Sequence, residues 1–381
     1  MDFSNYLKRG PVIRGTIETV PSSSRNAFIQ ILFPPVVIIA GFYIGGLANW
    51  IWLFFMPIGP YFDYIGGRDQ RNPAASIEAT LSNDKFYRYV TYAAVPMQYA
   101  FVAWGLWAFT QPTALYEKIG LVLGLGFICG SVGITIAHEL VHRKEKLERV
   151  LGGLLLASVS YATFKIEHVY GHHVHVSTPE DASTSKLGQS LYAFLPQAIF
   201  RNVRNGFRLA AKNMVRKGLS PWSVRNEMIW WTLLSASFYG FAYLYAGTVG
   251  LIYFLVCSLM AITALEIVNY IEHYGLVREK LPNGKYERVT HWHSWNASER
   301  MSNLMMLNLQ RHSDHHAYPN RRYQILRHFD DSPQLPFGYD GMMVLALFPP
   351  LWRKVMDPKV MEYREKLAKI REEKAMVGQA I

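Results

Sequence analysis

Cysteine is scarce in this chain: 381 residues contain only two, Cys129 and Cys257. Both lie inside apolar blocks and neither forms part of a CxxC pair. A disulfide framework, an iron–sulfur cluster and a fused rubredoxin-like metal module are therefore not expected. Charge is sparse too, at 18% of residues, and its acidic part is the smaller, with 28 Asp and Glu against 39 Lys and Arg for a net +11. A basic excess can mark a nucleic-acid binder, but no base-reading motif accompanies it, so nucleic acid is excluded as a partner. The basic residues instead lie between and after the apolar blocks, where the positive-inside rule puts them in a membrane protein. No signal peptide is expected, because residues 1–26 hold Pro11, Pro21 and a serine run, with no apolar core before Phe28. No internal repeat is visible.

Apolar residues are what the chain has in abundance. Half of it is hydrophobic and 14% is aromatic, as suits a protein that meets bilayer interfaces. About 20 residues cross a bilayer core. On that measure the blocks predict spans near 27–44, 47–62, 89–110, 118–137, 228–246 and 249–271. The tips between paired spans are short, at Gly45-Gly46-Leu47-Ala48, around Pro112 and at Ala246-Gly247-Thr248. The expected fold is therefore all-α: a polytopic membrane protein with six transmembrane helices in three hairpins and a cytoplasmic helical metal-binding cap. The whole chain, 1–381, reads as a single integral-membrane domain. Residues 27–137 carry helices one to four, 138–227 a first cytoplasmic segment, 228–271 helices five and six, and 272–381 a second cytoplasmic segment with a charged tail. The run 342–352 is too short to span and is expected at the interface, and the tail from Arg353 is expected as a solvated helix.

Nine histidines fall in four short clusters within the two polar segments. They are His138 and His142; His168, His172 and His173; His273; and His312, His315 and His316. Helix positions three or four apart share a face, so HxxxH, HxxxHH and HxxHH each direct two or three imidazoles to one point. Imidazole suits iron, zinc, copper and nickel. Nine ligands exceed the needs of one ion, so two metals are expected. His138 and His273 follow directly on the fourth and sixth spans, which places the metals at the membrane boundary, open to a substrate dissolved in the bilayer. His175, His291, His293 and His328 read as ordinary histidines, with the HWH pair 291–293 open to a ligand role. Glu139 within HELVH also fits the HExxH pattern of zinc proteases, which needs only one further ligand, whereas this chain offers many more.

Carboxylates stand beside the clusters. Glu139, Glu167 and Glu272 are each adjacent to a histidine and so point about 100° away on a helix. They and Asp314 are expected as acceptors for imidazole N–H groups, with direct ligation by one of them open. Asn269 and Asn308 each lie four residues before a clustered histidine and either reach the site or sit on a helix surface. Trp52, Phe55 and Ile134 are candidate walls for an apolar channel, with plain helix packing the alternative.

The segments HELVHR (138–143), EHVYGHHVHV (167–176), NYIEHYGL (269–276) and LQRHSDHHAYP (309–319) resemble those of the integral-membrane alkane monooxygenases. These are relatives of the histidine-rich membrane diiron hydroxylases and desaturases. NYxEHYGL is the motif that separates the alkane and xylene oxidisers from desaturases. The resemblance runs from the first spans to about residue 340. It implies a non-haem site of two iron ions, ligated by the nine histidines, in the bacterial inner membrane. It also implies O2 as cosubstrate, conversion of a medium-chain n-alkane to the 1-alkanol in hydrocarbon degradation, and electrons from a separate rubredoxin fed by a rubredoxin reductase. The basic residues Arg201, Arg204, Arg208, Lys212 and Arg216 would suit either an acidic rubredoxin or anionic membrane lipids. Another membrane diiron oxygenase, such as a xylene or fatty-acyl hydroxylase or a desaturase, is the alternative. A metal transporter would instead need ligands deep in the spans.

Overall fold

The computed structural model describes residues 10–376. Residues 1–9 of the amino-terminal stretch, expected to hold no signal peptide, and 377–381 of the charged tail lie outside the described residues.

The chain is predominantly helical. Strand pairing among the described residues is limited to short pieces. Val12–Ile13 runs parallel to Arg68–Asp69, and Thr16–Ile17 to Asn72–Pro73, which ties the amino-terminal segment to the polar link after the second helix.

Helix α1 (Pro34–Ile44) starts on two prolines, whose missing N–H groups cost nothing in a first turn. It ends at Gly45 and Gly46, which have φ of 79° and 57°. Only glycine takes two such values in succession at low cost. The chain then reverses so tightly that a Cβ on Gly41 would lie 2.4 Å from the Ala48 carbonyl oxygen. The return arm begins as a 3-10 helix, Gly46–Phe54, and passes into α2 (Phe55–Gly66).

Helix α3 (Lys85–Thr110) is capped by Asp84, whose carboxylate accepts from the Phe86 N–H at 2.9 Å. Helix α4 (Leu115–Val141) turns back along it, with Gly105 of α3 against the Leu125 side chain. A π-helical turn, Cys129–Ile134, interrupts α4 just before His138. Helix α5, residues 164–175, contains a second π turn, His168–His172. Helix α6 spans Leu191–Arg216.

Helix α7 covers Glu227–His273 but is not straight: Ala246 and Gly247 leave helical geometry, Gly247 with φ of 58°. Sixteen residues along a straight helix rise about 24 Å. Yet the rings of Phe238 and Phe254 stack at 5.5 Å, so the two arms of α7 form a hairpin. Glycines let α4 approach the second arm. A Cβ on Gly126 or Gly130 would sit 2.5 Å from the carbonyl oxygen of Cys257 or Ala261. Close helix contact through small residues is how helices associate in lipid, where burial of apolar surface gives little drive.

Leu115–Val141 and Glu227–His273 are each long and apolar enough to cross a membrane, and the bent pair Ser22–Leu32 with Pro34–Ile44 qualifies when taken as one. Helix α3 has the length, at 26 residues, but is diluted by tyrosine, tryptophan and Gln98. Large apolar side chains such as Ile44, Leu47, Phe241 and Leu244 face outward on these hairpins, which marks a membrane protein.

The carboxyl region differs from expectation. Helix α8 (His312–Ala317) carries the last histidines, and α9 (Pro349–Met376) carries the tail. The apolar run 342–352 does not simply lie at an interface. Met342, Met343 and Trp352 are buried, with Trp352 packed on the rings of Tyr270 and Tyr274 at 5.0 and 5.2 Å. Nor is α9 solvated all round. Met356, Val360, Tyr363 and Leu367 form a buried stripe at helical spacing, and Arg364 donates to the Gly275 carbonyl at 3.0 Å.

Candidate metal centre

The four clusters arrive from different helices and meet. His138 and His142 close α4, the second cluster lies on α5, His273 ends α7, and α8 brings the fourth. The nine rings sort into two groups. His138, His142, His168, His173 and His315 form one, and His172, His273, His312 and His316 the other. In each, the ligand atoms lie within 4.8 Å of one another.

The doublets do not aim at one point. His172 joins one group and His173 the other, and His315 and His316 divide in the same way. Adjacent helical residues point about 100° apart, so each doublet serves two centres. The π turn on α5 matters here: it brings His168 and His173, five apart in sequence, to an Nε2–Nε2 distance of 3.1 Å.

The donor set fits metal ions. Nε2 of His173 also lies 3.1 Å from Nε2 of His315, and Nε2 of His312 lies 3.2 Å from that of His273 and 3.0 Å from that of His316. Ring nitrogens bound about 2.1 Å from a common metal stand roughly 3 Å apart. The Nε2 atoms of His138, His142 and His172 are buried and meet no hydrogen-bond partner, an arrangement that costs energy unless something accepts them. Burial first, and the crowding of like rings second, push His168, His312, His315 and His316 well below the usual imidazole range. They stand neutral, the form that binds metal.

The residues around the rings are only partly those expected. Glu272 reaches the second group, its Oε2 3.1 Å from Nε2 of His312, and the Tyr339 hydroxyl donates to its other oxygen at 2.8 Å. Glu139 turns instead to Arg143 at 3.4 Å and the Tyr323 amide. Asp314 pairs with Arg321 and accepts from the Arg327 amide at 2.9 Å. Glu167 is buried beside Gly171 and hydrogen-bonds Asn205, and burial, then the charges of Asp181 and Glu266, push its carboxyl up. Asn269 donates to Glu266 at 3.2 Å, and Asn308, with φ of 56°, donates to the Tyr323 carbonyl at 2.9 Å. His291, His293 and His328 find partners in Asp331, Glu287 and Ser298 at 2.9, 3.1 and 2.9 Å.

Two contacts had no sequence signal. Asp181 lies in a polar loop, yet its Oδ2 is 2.9 Å from Nδ1 of His172. Burial alone would raise this carboxyl, but His172, Thr184 and His273 outweigh it and hold it at about 2. Asp181 is therefore ionised and fixes the His172 ring with Nε2 inward. Ser294 stands 3.4 Å from Nδ1 of His273.

On the membrane side, Ile134 is fully buried one turn before His138. Trp52 is buried against Phe127, with ring centroids 5.5 Å apart, and Phe55 is half-buried against the core.

Known proteins are similar in sequence. The fatty acid desaturase family profile matches residues 112–345, which contain every clustered histidine. The chain is 52% identical to alkane 1-monooxygenase 2 of Pseudomonas aeruginosa, over 82% of its own length and 85% of the relative's. Against alkane 1-monooxygenase 2 of Alcanivorax borkumensis it is 47% identical, covering 89% and 91%. The hydroxylase component of the xylene/toluene monooxygenase of Pseudomonas putida is more distant, at 27% over 86% and 87%. The chain belongs to the alkane 1-monooxygenase family.

Proposed function

We infer that this protein is a monooxygenase that hydroxylates the terminal methyl of n-alkanes to give 1-alkanols. The observation that carries the reading is the pair of histidine groups at the ends of apolar helices, in a chain about half identical to alkane 1-monooxygenases. We propose two iron ions, one per group, with the nine histidines as ligands and O2 as cosubstrate. Iron so held would supply oxygen activation and insertion of one oxygen atom into the methyl C–H bond. Glu272 and Asp181 act on the second group, Glu272 beside His312 and Asp181 by orienting His172.

The remaining tasks fall to the protein. A medium-chain alkane offers no polar handle, so binding must come from burial, at about 0.8 kcal/mol per CH2. We propose that Trp52, Phe55 and Ile134 wall the path along which the chain approaches His138. An apolar wall also excludes water from the centre.

The proposed topology is a single membrane domain of six spans in three hairpins. Segments 138–227 and 272–381 then form a cytoplasmic cap on the bacterial inner membrane, a side favoured by the positive-inside rule. Two cysteines in apolar blocks leave no rubredoxin-like site in the chain itself. We therefore propose a separate rubredoxin, reduced by rubredoxin reductase, as donor. Membranes containing the protein, given rubredoxin, reductase, NADH and octane, should form 1-octanol. Turnover of xylene or an acyl lipid without 1-octanol would overturn the reading in favour of another diiron oxygenase.

A further inference from the structure

We propose that α6 lies along the bilayer surface, with an aromatic stripe in the headgroup–acyl boundary and a basic stripe against anionic lipid headgroups. The proposal rests on the membrane reading above and adds a specific lipid-binding element to it.

Helix α6 has a buried row that winds round it and an outward side that carries aromatics and cations. Phe194, Ala198, Asn202, Gly206, Ala210 and Met214 recur every four residues and are buried against the protein. At 100° per residue, Tyr192, Phe207 and Phe200 lie about 80° to 160° round from Asn202, and Arg204, Arg208 and Lys212 about 200° to 280°. The aromatic stripe is outward: Tyr192 is 58%, Phe200 68% and Phe207 44% exposed. Exposed aromatics in a row beside a row of cations are the pattern of a helix lying in a membrane interface.

Its position agrees. Asn202 donates to Glu266 at 2.8 Å, near the end of α7, while Ala210 packs with Met228 at its start. The arms of α7 form a hairpin, so both ends emerge on one side. A helix that touches both runs across them, parallel to the membrane boundary. The chain then enters α7 through Trp222, 85% exposed, and Trp230, 57% exposed, where interfacial indoles belong. An acidic protein on the cations would leave the aromatic stripe uncovered, whereas a lipid surface takes both.

The test uses the full-length iron-loaded protein in nanodiscs of phosphatidylcholine, with or without phosphatidylglycerol. Cys129 and Cys257 are buried, so spin labels go to single introduced thiols. The sites are Phe200→Cys, Phe207→Cys and Lys212→Cys, with Phe241→Cys on the outer face of α7 as a lipid control and Lys285→Cys as an aqueous one. Relaxation by O2, which partitions into lipid, is compared with relaxation by a water-soluble nickel chelate. Labels at 200 and 207 should give an O2-to-nickel ratio near that at 241 and well above that at 285. The label at 212 should lose mobility when phosphatidylglycerol is added, and Arg204→Glu with Arg208→Glu should abolish that loss. If 200 and 207 match 285 while 241 stays lipid-like, the helix faces water or a protein and the proposal falls. If 212 ignores phosphatidylglycerol, the headgroup contact falls. If 241 itself matches 285, the membrane reading and the proposal fall together.

Discussion

The two histidine groups are built from the same four motifs but differ in surroundings. The five-ring group meets ring against ring, with His138, His142, His168 and His315 contacting one another at centroid distances of 4.4 to 6.3 Å. The four-ring group has fewer rings and two carboxylates, Asp181 on His172 and Glu272 beside His312. What one group has in nitrogen the other has in negative charge, so metals held by the two groups would not be electronically equivalent. The groups are also not independent. Stacked rings link them, His173 on His316 at 4.2 Å, and each doublet gives one ring to each.

Removal of a ring from the smaller group should have the largest effect. His312→Ala is expected to abolish turnover and release about half the bound iron, since a site must keep its ligand count to hold its metal. Iron assay with product analysis checks this. A loss from the larger group should cost less iron: His142→Ala is expected to retain more than His316→Ala under the same chelator challenge. Equal losses would break the comparison. Next come the carboxylates. Glu272→Gln and Asp181→Asn should each weaken iron retention by about 10- to 100-fold, in the range of outer partners of metal ligands. Both should alter the Mössbauer signal of one iron and leave the other. Tyr339→Phe, which removes only the hydroxyl on Glu272, should produce the same spectral shift in weaker form. Two irons shifted equally by Asp181→Asn would contradict the assignment of that residue to one group.

Much of this centre is legible in the sequence because it rests on short-range periodicity. His138 with His142, and His312 with His316, are four apart and fall in the same group, as helix spacing favours, whereas His168 and His172, also four apart, divide across the π turn on α5. The chain reversals at Gly45–Gly46 and Ala246–Gly247 coincide with the glycine-bearing tips between apolar blocks. That His173 rather than His172 joins His168 is not legible from cluster spacing alone, because a π turn on α5 sets the register. Asp181 is invisible for a different reason: it reaches His172 through a loop, where no period applies. Glu139 and Asp314 sit beside histidines in sequence but pair with Arg143 and Arg321, whose approach depends on tertiary packing. Buried stripes on α9 read as helical periodicity, yet sequence alone does not show that Gly275 is the surface they cover.

The central claim, that each histidine group holds one iron, is tested most directly by metal analysis of the purified full-length protein combined with Mössbauer spectroscopy. The account predicts about two irons per chain, with two distinguishable signals, because the donor sets differ. One iron per chain, or zinc with no iron, would contradict it.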